Sequence, residues 1–132
     1  MDSLRNISSL YDGRLETMID QAVQKGLAFY DTKQFNEDGM GFFRYPTKYP
    51  ADIHNQAQGI ITFSRSADFD LRYLEKAETI LDWTIKNMQD PLGFFYYQKY
   101  RFLTNKMPYI RWAQAWMFFA MTEYLLRKSS YS

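Results

Sequence analysis

The sequence predicts an all-α fold of two helical hairpins, in which an amphipathic outer helix alternates with an uncharged inner one. Two observations carry this expectation. The chain says nearly the same thing twice: an amphipathic segment, GFFRY, a proline and then Gln56-Ala57, followed by an amphipathic segment, GFFYY, a proline and Gln114-Ala115 at the same offset from that proline. The stretches after the two prolines also lack charge, over residues 53–64 and 112–122. A helix without a charged face is buried on all sides, and a repeat unit of this length relies on its neighbour to cover its apolar face.

Residues 1–12 read as a leader or a remnant of a preceding unit. Residues 13–128 then form one α/α repeat domain, with the first hairpin over about 13–66 and the second over about 68–128. The first outer helix, over 14–31, has Leu15, Met18, Ile19, Ala22, Val23, Gly26, Leu27 and Tyr30 at helical spacing. The second, over 71–89, has Leu74, Ala77, Leu81, Ile85 and Met88 as its stripe. Asp68 or Asp70 is placed to cap it, and Pro91 and Gly93 end it. A four-helix bundle is the competing architecture, but it expects four amphipathic helices.

The repeated loops begin at Gly41 and Gly93 and continue as short extended aromatic segments. The second is longer, which allows a hairpin or a lid over residues 96–104. The chain is 132 residues long, the size of one domain, with a net charge of +1 and no cysteine. That balance gives no field favouring nucleic acid, and the absence of thiols excludes a disulfide scaffold. The start lacks a secretory pattern, so the cytoplasm is the default compartment. The apolar stretch over 112–122 falls far short of the ~20 residues that span a bilayer, and no membrane insertion is expected.

Aromatic residues make up 19% of the chain and cluster in the loops, where a sugar-facing or partner-facing surface would use them. The densest polar constellation follows Pro50. Asp52 reads both as a helix N-cap and as a functional carboxylate. His54, the one histidine, stands near a helix N-terminus, where its neutral form suits acid or base work; a structural, hydrogen-bonded role is the alternative. Gln58 lies one turn further along the same face. In the second copy Arg111 and Trp112 take the places of Ile53 and His54. A cation at a helix start opposes the dipole and calls for a compensating partner, Asp52 or a ligand carboxylate. Trp112 is open to stacking, and Trp116 reads as core.

One histidine and no cysteine make a dedicated metal site unexpected, and no nucleotide-cofactor glycine pattern is present. Lys99, Arg101 and Lys106, interleaved with Tyr97, Tyr100 and Phe102, are read as a structural face and not as a nucleic-acid site.

The runs YPADIHNQAQGIITFS, ILDWTIKNMQDPLGFFYYQKY and MPYIRWAQAWMFFAMTEYLL resemble the C-terminal part of bacterial α/α-toroid, six-hairpin glycosidase-like proteins linked to polysaccharide biosynthesis and processing. The resemblance implies a cleft at the loop end of the inner helices that holds a glycan or anionic sugar. On this chain it implies Asp52 and His54 as catalytic candidates. Gln58, Arg111, Trp112 and Gln114, with Tyr45 and Tyr97 from the loops, are the implied ligand-binding residues. A closed toroid needs more hairpins than the two supplied here. The chain is therefore expected to be a piece of a longer protein or to self-associate as a symmetric dimer. The alternative function is a non-enzymatic oligomerising or protein-interaction module.

Overall fold

The computed structural model describes residues 13–132, which fall into two compact units, the first ending at Gln34 and the second running Phe35–Ser132. The expected leader over residues 1–12 lies outside the described residues.

The first unit is one helix, α1 (Gly13–Phe29), continued by a wider π-helical turn over Tyr30–Gln34. Glu16 in the first turn complements the helix dipole. The Thr32 hydroxyl donates to the Ala28 carbonyl at 2.8 Å just where the α-helical pattern gives way. Of the expected apolar stripe, Val23 and Leu27 are buried, whereas Leu15 and Met18 are exposed.

The second unit contains α2 (Ile53–Ser66), α3 (Arg72–Met88) and α4 (Trp116–Ser130), the last entered through a π-helical segment at Ile110–Ala115. α2 is the central element and packs against both α3 and α4. Its Ile53, Ala57, Ile60 and Phe63 meet Ala77, Ile80, Leu81 and Met88 of α3 and Ala113, Met117 and Ala120 of the α4 segment in the core. α2 leaves no room for a side chain at Gly59: a Cβ there would collide with the ring of Phe35. At the start of α3 the N-cap residue is Leu71, which makes no side-chain cap, and the Asp70 carboxylate just before it accepts from the Arg72 amide at 2.9 Å.

Two expectations are corrected here. The stretch 112–122 was expected to be buried around its whole circumference, yet Trp112, Phe118 and Phe119 are exposed. Further along the same helix, Leu125 is 62% and Leu126 59% exposed. Only α2 and α3 pack on α4 among the described residues, and they cover the side bearing Met117, Ala120 and Tyr124. An uncharged composition marks a helix that needs partners on every side; it does not supply them.

The second correction concerns the register of the repeat. Aligning the two GFF runs equates Gly41 with Gly93. In the structure Gly39 (φ 97°) and Gly93 (φ 96°) hold the same left-handed position in equivalent turns. The Asn36 amide donates to the Met40 carbonyl at 3.0 Å, and the Asp90 amide donates to the Phe94 carbonyl at 2.8 Å. Isolated bridges pair Phe35 with Gly41 and Gln89 with Phe95, so Gly41 corresponds to Phe95. The turn, not the aromatic pair, is the conserved frame of the two halves.

The helices are joined by a small antiparallel sheet, β1 (Ala51–Asp52), β2 (Gln98–Lys99) and β3 (Thr104–Asn105), in that order. The β2–β3 pair is the hairpin expected in the longer loop, with Lys99 opposite Thr104. β1 was not expected: Asp52 pairs with Gln98 and so ties the start of α2 to the loop of the second half. The fold is mostly helical with this sheet added, and no described helix is long and apolar enough to cross a membrane.

Candidate functional site

The site lies where the loops of the second unit meet the starts of α2 and α4, and two glutamines hold those loops. Gln56 is fully buried; its Oε1 accepts from the Gly41 amide at 2.6 Å and its Nε2 donates to the Gly39 carbonyl at 3.1 Å. The same Nε2 donates to the Thr84 hydroxyl at 2.9 Å, which itself donates to the Ile80 carbonyl. Gln114 does the same for the second loop: Oε1 accepts from the Phe95 amide and Nε2 donates to the Phe95 carbonyl, each at 2.8 Å. A glutamine amide has the donor and acceptor of a backbone unit, so it pairs with a loop as a strand would. Gln114, implied as a ligand-binding residue, is thereby committed to holding its own loop.

Asp52 is likewise occupied. Its Oδ1 accepts from the His54 amide at 2.9 Å, capping α2, and its Oδ2 accepts from Gln98 Nε2 at 2.8 Å. The cap arises because Asp52 has extended backbone, φ −105° and ψ 131°, immediately before the first helical turn. His54 follows on α2 and meets two indoles edge to face, Trp112 with centroids 6.0 Å apart and Trp116 at 4.8 Å. Its Nδ1 is buried with no hydrogen-bond partner among the described residues. Asp52 and His54 are therefore neighbours joined through the backbone amide of His54, and no side-chain hydrogen bond links them.

Beside them Tyr97, Tyr109 and Trp112 line an aromatic pocket of about 240 Å³. Tyr97 and Tyr109 pack edge to face with centroids 5.0 Å apart. Trp112 is 60% and Tyr109 41% exposed, so two of the three rings present area to the pocket mouth. Burial, reinforced by the Asp52 carboxylate, pushes the Tyr97 phenol above its usual pKa, so its hydroxyl stays neutral. The Tyr97 carbonyl accepts from the Ile53 amide at 3.1 Å, which fixes this ring to the start of α2.

The remaining residues implied by sequence are not gathered there. Arg111 is exposed, forms no ion pair with Asp52 and does not line the pocket; the compensation expected from Asp52 fails because both Asp52 oxygens already accept hydrogen bonds. Tyr45 is exposed in the first loop and Gln58 is half-buried on α2, neither lining the pocket. Lys99 donates to Asn87 Oδ1 at 3.2 Å, Arg101 lies over the Phe102 ring and Lys106 over the Tyr96 ring. The three cations are thus placed against separate neighbours and form no stripe.

Two features escaped the sequence reading. Tyr109, directly after Pro108, carries no pattern beyond its aromatic type. A second depression of about 550 Å³ is lined by Asp38, Thr79, Asp82, Trp83, Lys86 and Asn87. Asp82 and Lys86 read as the solvated face of an outer helix, and Trp83 between them was the available signal. No cluster of His, Asp or Glu among the described residues is arranged to hold a metal ion. Comparison with known proteins gives no match to a family model, a curated protein or a solved structure.

Proposed function

We propose that the protein is a carbohydrate-binding helical-repeat domain of α/α-toroid type, in which Tyr97, Tyr109 and Trp112 receive the apolar face of a pyranose ring. The observation that carries this reading is the open aromatic pocket, with the Trp112 indole exposed at its edge and braced by His54. A pyranose presents C–H groups on one face and hydroxyls around its rim, which suits an exposed indole flanked by phenol hydroxyls. Among the described residues no charged side chain lines the pocket, which favours a neutral glycan over a uronate. The reading is binding without turnover. A general acid or base needs an accessible proton-accepting atom within reach of the ligand; both Asp52 oxygens are engaged in the fold and the unpartnered His54 Nδ1 is buried.

Isothermal titration of the full chain with neutral gluco- and galacto-oligosaccharides and with uronate oligomers tests this. Binding of a neutral oligomer, weakened roughly tenfold to a hundredfold by Trp112→Ala, is the expected result. A neutral ligand bound equally well by Trp112→Ala, or no binding to any oligosaccharide, overturns it.

A further inference from the structure

The two aromatic loops carry a charge and an apolar surface that the carbohydrate reading leaves unused. Residues 41–51 and 95–112 hold Arg44, Lys48, Lys99, Arg101, Lys106 and Arg111 but no Asp or Glu, although the whole chain has a net charge of only +1. The rest of the chain is therefore net acidic, and the loops are its basic part. All of these cations except the half-buried Lys99 are exposed. The same loops show apolar side chains to solvent: Phe102 is 89% and Ile110 78% exposed, and Phe43, Leu103 and Met107 are exposed with them. Large apolar groups collected on loops mark a contact surface.

The fold brings both loops to one end of the second unit. Ala51, which closes the first loop, pairs with Lys99 in the second, and the starts of α2 and α4 meet where His54 packs against Trp112 and Trp116. The Tyr100 amide donates to the Leu103 carbonyl at 2.8 Å, which leaves Arg101 and Phe102 at the corner of the β2–β3 hairpin, with the guanidinium over the ring. Carboxylates flanking the loops do not cancel the cations. Asp52 accepts from the His54 amide and Gln98, Asp90 from the Leu92 amide and the Tyr96 hydroxyl, and Asp38 lines the depression along α3.

We propose that this end of the second unit docks on an anionic lipid surface, with Phe102 and Leu103 seated among the headgroups and the cations facing lipid phosphate and carboxylate groups. The contact is peripheral, since no described helix is long and apolar enough to cross a membrane. Charge complementarity selects a negative partner, and the exposed side chains select lipid over nucleic acid. A phosphate backbone asks for a track of cations with rings that stack on its bases. Here Lys99, Arg101 and Lys106 are held against separate neighbours, and Leu103 and Ile110 offer no stacking plane. A bilayer is fluid, so its headgroups gather at cations wherever these stand, and its interface accepts aliphatic side chains.

Co-sedimentation of the full chain with vesicles of phosphatidylcholine, and of phosphatidylcholine mixed with phosphatidylserine, tests the proposal. Binding to the mixed vesicles alone is expected, and it weakens as salt is raised. Phe102→Ser combined with Leu103→Ser lowers vesicle affinity roughly tenfold or more with helical circular dichroism retained, because both side chains are exposed in the free chain. Should that variant not fold, Arg44→Glu on the other loop decides, with affinity again lowered roughly tenfold. No binding to the mixed vesicles, equal binding to both compositions, an affinity indifferent to these substitutions, or capture of a single-stranded oligonucleotide in place of the vesicles overturns the lipid-facing surface. The vesicles carry no sugar and none of the substituted residues lines the aromatic pocket, so this proposal and the glycan reading stand or fall separately.

Discussion

Gln56 and Gln114 stand at the same place in the two halves, and each binds the backbone of its own loop through both ends of its side-chain amide. They differ in burial, Gln56 being fully buried and additionally bonded to Thr84, and Gln114 only half-buried. Gln56→Ala leaves the Gly41 amide and Gly39 carbonyl unsatisfied and opens a cavity, at a cost of about 3 kcal/mol. Gln114→Ala admits water to the freed groups and costs about 1 kcal/mol. Urea denaturation of the two variants gives the ratio directly.

Gly39 and Gly93 share a backbone conformation but not surroundings. A Cβ at Gly39 would come within 2.5 Å of the Thr79 carbonyl oxygen, whereas one at Gly93 meets nothing within 4 Å. Gly93→Ala therefore carries only the left-handed strain, about 1 kcal/mol, and Gly39→Ala about 3 kcal/mol or more. Thermal unfolding of the two alanine variants is expected to show a far larger drop for Gly39.

His54 buries a ring nitrogen without a partner between two indoles. Replacing a buried unsatisfied polar group with an apolar one of similar shape removes its desolvation penalty. His54→Phe is expected to unfold at a urea concentration equal to or above the wild type, with a gain of up to about 1 kcal/mol. A loss of stability would show that the imidazole makes a hydrogen bond of consequence.

The Glu78 carboxyl is held below its usual pKa, first by the hydrogen bond from Lys128 and then by the Tyr124 hydroxyl. A carboxyl depressed in the folded state adds stability above its unfolded pKa and loses it as pH falls through the folded value. The wild type is therefore expected to lose stability on acidification through and below the ordinary glutamate range. Glu78→Gln, lacking that proton uptake, gives a flatter stability curve there. The pair is exposed and salt-screened, so the difference is small and shrinks further in high salt. Urea midpoints of both proteins across this pH range check the slope.

The second outer helix was legible because apolar residues at helical spacing mark one side of a helix, and the 71–89 expectation meets α3 at Arg72–Met88; the stripe of the first named its helix but not a covered side, since Leu15 and Met18 are exposed. The Asp52 cap was one of the two readings the sequence offered for that carboxylate, and it is the one its extended backbone and the His54 amide realise. β1 was not: a two-residue strand has no period, and its pairing is decided by Gln98, far along the chain. The Gly41–Gly93 equivalence misled because conspicuous aromatics were aligned in place of the turn that needs a left-handed residue. The pocket was partly legible. Tyr97 and Trp112 stood out as loop-facing rings, but Arg111 was drawn toward Asp52 by charge alone, while Gln98 had already taken the carboxylate.

The glutamine clasps make the aromatic loops interchangeable parts. The clasped amide and its glutamine are 15 residues apart in the first half and 19 in the second, yet in both the glutamine Oε1 accepts from the loop amide. The extra length is absorbed by the β2–β3 hairpin beyond the clasp, leaving the helix starts where they were. Grafting a longer or chemically different segment at the tip of the β2–β3 hairpin, between Lys99 and Thr104, would change that loop without redesigning the helical framework beneath it.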